Sequence, residues 1–147
     1  MTLMDAALPD VARERRRRII ILSIVIAIVV LAGLAWTFRY WPEEHVADKF
    51  FAALKRQDYE AAYGIYYNDP AWKQHPQQHS NYPYNEFYTD WGPGGEWGLV
   101  KDYKLEASGN CPKAGSGVVV QFIVNGRVDR ARVYVDKSDK TISSPPC

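Results

Sequence analysis

Hydrophobic positions follow three rhythms along this chain, and each predicts a different element. From Ile19 to Phe38 there is no rhythm at all: twenty residues pass without a charge, and thirteen are Ile, Val, Leu or Phe. A helix of that length rises about 30 Å, the thickness of a bilayer's hydrocarbon core. The large apolar side chains together favour insertion by roughly 4–8 kcal/mol, with no charge opposing them. Ser23 and Thr37 are the polar exceptions, and both can bond back to carbonyls of their own helix.

After Pro42 the period becomes helical. Pro42-Glu43-Glu44 reads as a helix start, with proline at the first position and acids in the first turn. Val46, Phe50, Phe51 and Leu54 then recur on one face, while Asp48, Lys49, Lys55 and Arg56 turn to water. So little chain separates this helix from the apolar run that the domain is expected close to the membrane surface. Asp58 is suited to cap a second helix from Tyr59 to about Tyr67, which Asn68-Asp69-Pro70 ends. Trp72 to Asn81, polar and rich in His and Gln, reads as loop. Pro83 opens a third helix, Tyr84 to Trp91, stopped by Gly92-Pro93-Gly94-Gly95.

The last third has period two. Leu99, Tyr103, Leu105 and Ala107 are set against Asp102, Lys104 and Glu106, which predicts a half-exposed strand. Val118–Val124 and Arg127–Asp136 flank Asn125-Gly126, a strong hairpin signal. A two-residue turn there pairs Val124 with Arg127 and Val120 with Ala131. Val118, Val120, Phe122, Ala131, Val133 and Val135 then form a core face, with Gln121, Arg130 and Arg132 behind it. Lys137 to Lys140 is another turn, before a short strand at Thr141-Ile142-Ser143. Two or three helices followed by an antiparallel meander is an α+β arrangement.

Charge adds orientation. Arg13, Arg15, Arg16, Arg17 and Arg18 crowd the N-terminal side of the apolar run, whereas the next basic residues beyond it are Arg39 and Lys49. The positive-inside bias makes residues 1–18 a cytoplasmic basic tail, residues 19–41 a transmembrane helix and residues 42–147 an extracytoplasmic domain. Residues 1–12 lack any pattern and read as a disordered tail. Trp36, Tyr40 and Trp41 stand where an outer aromatic belt belongs, and Arg15–Arg18 where anionic headgroups lie. Gly33-Leu34-Ala35 resembles a signal-peptide cleavage site, but the apolar run is longer than such a peptide's core. The chain carries 18 basic against 17 acidic residues, and beyond the tail thirteen against fourteen. A near-neutral exported domain has no electrostatic reason to seek nucleic acid. Its two cysteines, Cys111 and Cys147, lie in an oxidising compartment and form either a bridge or two unpaired thiols. A bridge would stabilise the domain by about 4 kcal/mol in the chain-entropy model.

Phe50-Phe51-Ala52-Ala53-Leu54-Lys55 followed by Asp58-Tyr59-Glu60-Ala61-Ala62-Tyr63 resembles the opening of NTF2-like (cystatin-like) domains. There a long helix ends in F-x-A-L and the next begins D-Y-x-x-A-Y. The likeness spans roughly Pro42 to Ile142, and looks most like small membrane-anchored bacterial members of unassigned activity. It implies a curved antiparallel sheet wrapped over helices, a cone with room for a pocket. It implies no particular chemistry, since the superfamily includes isomerases, dehydratases, binding modules and scaffolds. The aromatic insert Trp72–Trp97 is a departure, being long for so small a fold.

That insert also carries the candidate binding residues: Trp72, Tyr82, Tyr84, Tyr88, Trp91 and Trp97 either line a docking surface or fill the cone. His75 and His79 have helix-like metal spacing, but Pro76 lies between them, and solvated loop histidines are the expectation. His45 is expected at the surface. Asp90 beside Trp91 and Glu96 beside Trp97 are the only carboxylates placed for general-base work. Gly92–Gly95 lacks a phosphate loop's lysine, and Gly115-Ser116-Gly117 lacks the nucleophile-elbow frame. The expectation is a non-catalytic accessory or scaffold subunit without cofactor or metal, partnered by the bilayer and a larger membrane complex. The alternatives are a binding module for an apolar molecule or lipid and, behind it, a small-substrate isomerase or dehydratase.

Overall fold

The first helix starts where a carboxylate can cap it. In the computed structural model, which describes residues 10–147, Asp10 accepts the amide of Arg13 at 3.3 Å and α1 runs Val11–Thr37. Helix therefore begins inside the stretch expected to be patternless; residues 1–9 lie outside the described residues. The arginine cluster becomes the first turns of α1, with Arg18 paired to Glu14 at 3.2 Å. Ser23 Oγ donates to Ile19 O at 2.8 Å and Thr37 Oγ1 to Gly33 O at 2.9 Å, which removes the two hydroxyls as a cost of burial in hydrocarbon. No α1 side chain is buried, and among the described residues α1 alone is long and apolar enough to cross a membrane.

The chain separates after Arg39 into two units. In the second, α2 (Trp41–Lys55) has proline in its first turn, and α3 (Tyr59–Tyr66) is capped by Asp58, whose carboxylate accepts the Ala61 amide at 3.1 Å. A single 3₁₀ turn, Trp72–Gln74, interrupts the expected loop, and α4 covers Tyr84–Trp91. The strands are β1 (Tyr103–Asn110), β2 (Val118–Val124), β3 (Arg130–Val135) and β4 (Ile142–Ser143), an antiparallel meander in the order β1-β2-β3-β4. The unit is thus α+β, with α2 lying against β1, β2 and β3.

Its core is aromatic where helices meet the sheet and aliphatic along the strands. The Phe51 ring lies 4.4 Å from Phe122 and 5.4 Å from Phe50, and Phe87 is fully buried behind them. Val118, Val120, Phe122, Ala131, Val133 and Val135 form the core face. Between helices and sheet, Phe50, Phe51, Phe87 and Phe122 are all fully buried.

Two register expectations need correction. Phe122 pairs with Ala131 and Val120 with Val133, so the hairpin is displaced by two residues from the tight turn read in the sequence. The Asn125-Gly126 turn does form, with both residues at positive φ and Arg127 N donating to Val124 O at 3.0 Å. However, Asn125 is also held by another segment. Its Oδ1 accepts the Lys101 amide (2.8 Å) and the Asp102 amide (3.1 Å), and its Nδ2 donates to Leu99 O (2.8 Å). Residues 127–129 consequently bulge outward, leaving Val128 91% exposed. A displacement of two keeps every side chain on its face, which is why the core survives.

The second correction is in β1, whose register shifts between Leu105 and Ala107. That bulge puts Ser108, opposite Val120, on the core side and Ala107, opposite Gln121, on the other. Ser108 Oγ then donates to Glu44 Oε1 of α2 at 2.5 Å. Behind the sheet, Glu106 accepts from Arg130 (2.7 Å) and Gln121 (2.6 Å).

Long-range ties close the fold. Glu43, only 3% exposed, receives Lys140 Nζ at 2.5 Å, joining the start of α2 to the turn before β4. Tyr134 Oη donates to Ala114 O and accepts the Gly117 amide, and a Cβ at Gly117 would run into the Tyr134 ring. Cys111 and Cys147 are joined by a disulfide with Cα atoms 5.9 Å apart, closing a separation of 36 residues.

Truncating Phe51 to Ala is expected to lower stability by about 3–5 kcal/mol. Leu105→Ala, at a site 40% exposed, is expected to cost less than about 1 kcal/mol. Urea denaturation of the full chain in detergent, followed by tryptophan fluorescence, checks the contrast.

Candidate functional site

The aromatic insert was the densest source of candidate residues, and packing accounts for most of it. Trp72 stacks on Tyr84 at 5.1 Å, meets Tyr63 edge-on at 4.8 Å, and donates its indole N–H to Glu60 O at 3.1 Å. Trp91 stands edge-on to Phe50 at 5.0 Å. The Tyr82 carbonyl accepts the Tyr63 hydroxyl at 2.8 Å, while its own hydroxyl donates to Asp90 Oδ2 at 2.8 Å. Trp97 lies beneath the Arg127 guanidinium, 4.7 Å from its ring centre. These five are half-buried against the core; Tyr88, 44% exposed, is the one that faces water. Tyr88 meets Tyr59 at 5.2 Å and Tyr84 at 6.2 Å.

Burial also governs the phenols. It pushes Tyr63 up to about 12, helped by Tyr67, and Tyr66 to about 12, helped by Tyr67, Asp90 and Tyr63. Tyr82 is driven higher still, by burial first and then by its bond to Asp90. At neutral pH the cluster therefore offers O–H donors and no phenolate.

The residues expected at a membrane interface also divide. Arg15–Arg18 and Trp36 belong to α1, where the Arg39 guanidinium lies 4.1 Å from the Trp36 ring. Tyr40 instead packs against the core of the second unit, with Lys137 over its ring, and Trp41 opens α2 stacked on His45 at 5.1 Å. The three aromatic residues expected as one belt thus fall into two units.

Beyond α3 sits an arrangement that the sequence did not disclose. Asp69 Oδ2 accepts from His75 Nδ1 at 2.8 Å and from His79 Nε2 at 2.9 Å, and the His79 ring stacks on Tyr67 at 4.0 Å. The His79 side chain is only 15% exposed and that of Asp69 16%. His79 is thus not the solvated loop histidine expected, whereas His75 keeps 37% of its side chain exposed; both tie the 72–82 segment to Asp69 beyond α3. Both point at one carboxylate oxygen, and among the described residues no group of three or more His, Cys, Asp or Glu is set to hold a metal. In the sequence Asp69 reads only as part of a helix stop. The pairing spans six and ten residues, and no periodic signal reports it.

Several clefts lie on the surface of the described residues. One of about 410 Å³ opens between α2 and α3, lined by Val46, Ala61, Gly64, Ile65 and Pro70 with Lys49 and Glu60 at its sides. A second, also about 410 Å³, lies at the end of α4 and holds both candidate general bases, Asp90 and Glu96. A third, about 250 Å³, runs over Trp72, Tyr84 and His79. Asp90 and Glu96 are both exposed to water, an environment unlike the desolvated pocket in which a carboxyl becomes a general base.

Compared with known proteins, the chain matches no family model, no curated protein and no solved structure.

The Asp69 arrangement has a consequence in acid. Hydrogen bonds from His79 and then His75 hold the Asp69 carboxyl below its usual 3.8. Glu106, held by Arg130 and Gln121, and Asp136, held by Ser138, are displaced the same way. A folded-state pKa below the unfolded value adds stability above the unfolded pKa, and that stability is lost as pH falls through the folded one. Stability is therefore expected to decline below about pH 4, and Asp69→Asn to make the decline shallower. Urea midpoints measured from pH 6 down to pH 2 check both.

Proposed function

We propose that this chain is a non-catalytic, single-pass protein of a bacterial inner membrane, with α1 as the anchor, its N-terminus cytoplasmic and the second unit periplasmic. The second unit is read as an NTF2-like domain acting as an accessory or scaffold subunit that docks to a larger membrane protein complex. One observation carries the reading: α1 leaves every apolar side chain unburied, while the unit after it fills its interior with Phe50, Phe51, Phe87 and Phe122. An apolar rod without protein cover needs hydrocarbon. A domain with a filled centre presents its surface, not a chamber. Three helices followed by an antiparallel meander support the NTF2-like assignment.

The exposed positions of Asp90 and Glu96 support a non-catalytic role. With the aromatic insert half-buried, the docking face moves to the cleft between α2 and α3. Its apolar floor and flanking Lys49 and Glu60 suit an apolar segment of another membrane protein. The same cleft carries the second reading, an apolar small molecule or lipid, because its volume falls within the range of ligand sites.

Protease added to spheroplasts is expected to remove the second unit and spare the arginine-rich tail; protection of Tyr40–Cys147 would reverse the orientation. A photo-crosslinker at Ile65 is expected to trap a membrane protein in mild detergent, whereas one at exposed Lys113 should not. Only free monomer at both positions, together with a lipid adduct in native mass spectrometry, would transfer the assignment to the second reading.

A further inference from the structure

The cleft at the end of α4 has a different chemistry from the apolar one. Thr89, Asp90, Trp91, Glu96, Trp97 and Ser144 line it, with Gly94 and Gly95 as its backbone wall. Polar surface predominates there, and the lining contains two carboxylates, two hydroxyls and two indoles but no basic side chain. From these groups we infer that the cleft is a binding site for an uncharged saccharide. Carboxylate oxygens accept hydrogen bonds from sugar hydroxyls more strongly than neutral acceptors do. Indoles give the apolar C–H face of a pyranose a flat surface while remaining polar at the edge. A volume of about 410 Å³ lies within the range of small-molecule sites.

The cleft is built in advance of any ligand. Gly92 N donates to Tyr88 O (2.8 Å), Gly95 N to Gly92 O (3.0 Å) and Gly98 N to Gly95 O (3.1 Å), so the loop is a chain of tight turns on the end of α4. A Cβ at Gly95 would collide with the Asp90 carbonyl, so only glycine lets the loop approach so closely. The Tyr82 hydroxyl fixes Asp90 through Oδ2. Trp91 is braced by Phe50 and Phe51 at 5.0 and 6.2 Å. Ser144 lies three residues before Cys147, whose disulfide to Cys111 tethers that wall. Such preorganisation lowers the ordering cost of binding.

Charge separates this reading from its nearest rival. Two carboxylates beside two indoles could also attract an alkylammonium ion. However, Arg127 already occupies a face of Trp97 at 4.7 Å and donates to the Glu96 carbonyl at 2.8 Å. The guanidinium, paired with Asp129 at 3.6 Å, holds that ring face against a second cation, leaving a site best matched by a neutral, hydroxyl-rich ligand. This site is separate from the α2/α3 cleft and does not rest on the docking reading.

The test uses the full-length protein in lipid nanodiscs, free of sugar-headed detergent, with indole ¹⁵N labelling. Chitobiose, cellobiose and maltose are the probes, and tetramethylammonium is the control. At least one disaccharide is expected to shift the Trp91 and Trp97 signals with Kd on the order of 1 mM. Trp97→Ala should weaken binding at least about tenfold and Glu96→Gln by about tenfold, roughly the loss of one good contact. Should Trp97→Ala fail to fold, Glu96→Gln and Ser144→Ala, both at the surface, decide the matter. Silence from all three sugars to about 50 mM, tighter binding of tetramethylammonium, or unchanged binding in the variants would each overturn the assignment.

Discussion

The second unit depends on one ring. Phe51 projects from α2 to within 4.4 Å of Phe122 on β2, and it also touches Phe50, Trp91 and Tyr103. The helix layer and the sheet meet at this point. Phe50, next to it in the chain, turns the other way to reach Tyr66, Phe87 and Trp91. Two consecutive phenylalanines thus serve two interfaces, the first within the helical layer and the second against the sheet. Phe50 meets Phe51, Phe87 and Trp91 at steep interplanar angles of 84°, 70° and 86°, which adds edge-to-face attraction to the gain from burial.

Once that interior is full, the remaining aromatic residues have few places to go. Trp72, Tyr82, Tyr84 and Trp91 become an outer layer that shields Phe87 and Tyr63 from water. Their polar tips are used locally: indole to Glu60, phenol to Asp90, with the Tyr82 carbonyl receiving the Tyr63 hydroxyl. The Asp69–His75–His79 clamp serves the same end by pinning the segment that carries Tyr82 and Tyr84. What looked like display is mostly insulation. The exposed chemistry lies instead at the margins of this layer, in the α2/α3 cleft and in the cleft below α4.

The sheet shows how a polar residue can override a turn rule. Asn125-Gly126 adopts the backbone its sequence favours, yet the strand after it does not continue in the implied register. The Asn125 side chain makes three hydrogen bonds to the segment Leu99–Asp102, acting as an extra rung beside β1. In β1 the bulge at Glu106 does similar work, releasing that carboxylate to join Arg130 and Gln121 behind the sheet. Both deviations arise from side chains that find distant partners.

By itself the sequence determined whatever depends on near neighbours. An uncharged run of twenty residues specifies a helix long and apolar enough to cross a membrane, because each side chain's preference for hydrocarbon or water is settled residue by residue. Asp58, Pro83 and the glycines after Trp91 mark helix ends because capping acts within a turn. Alternation chose the core face of β2 and β3, and a displacement of two residues could not undo it. Only the tertiary structure decided the hairpin register, the union of Asp69 with two histidines, the pairing of Glu43 with Lys140, and the assembly of Trp97, Glu96, Asp90 and Ser144 around one cleft. Those contacts join groups with no fixed offset along the chain, so their geometry exists only after the core has brought the backbone segments together.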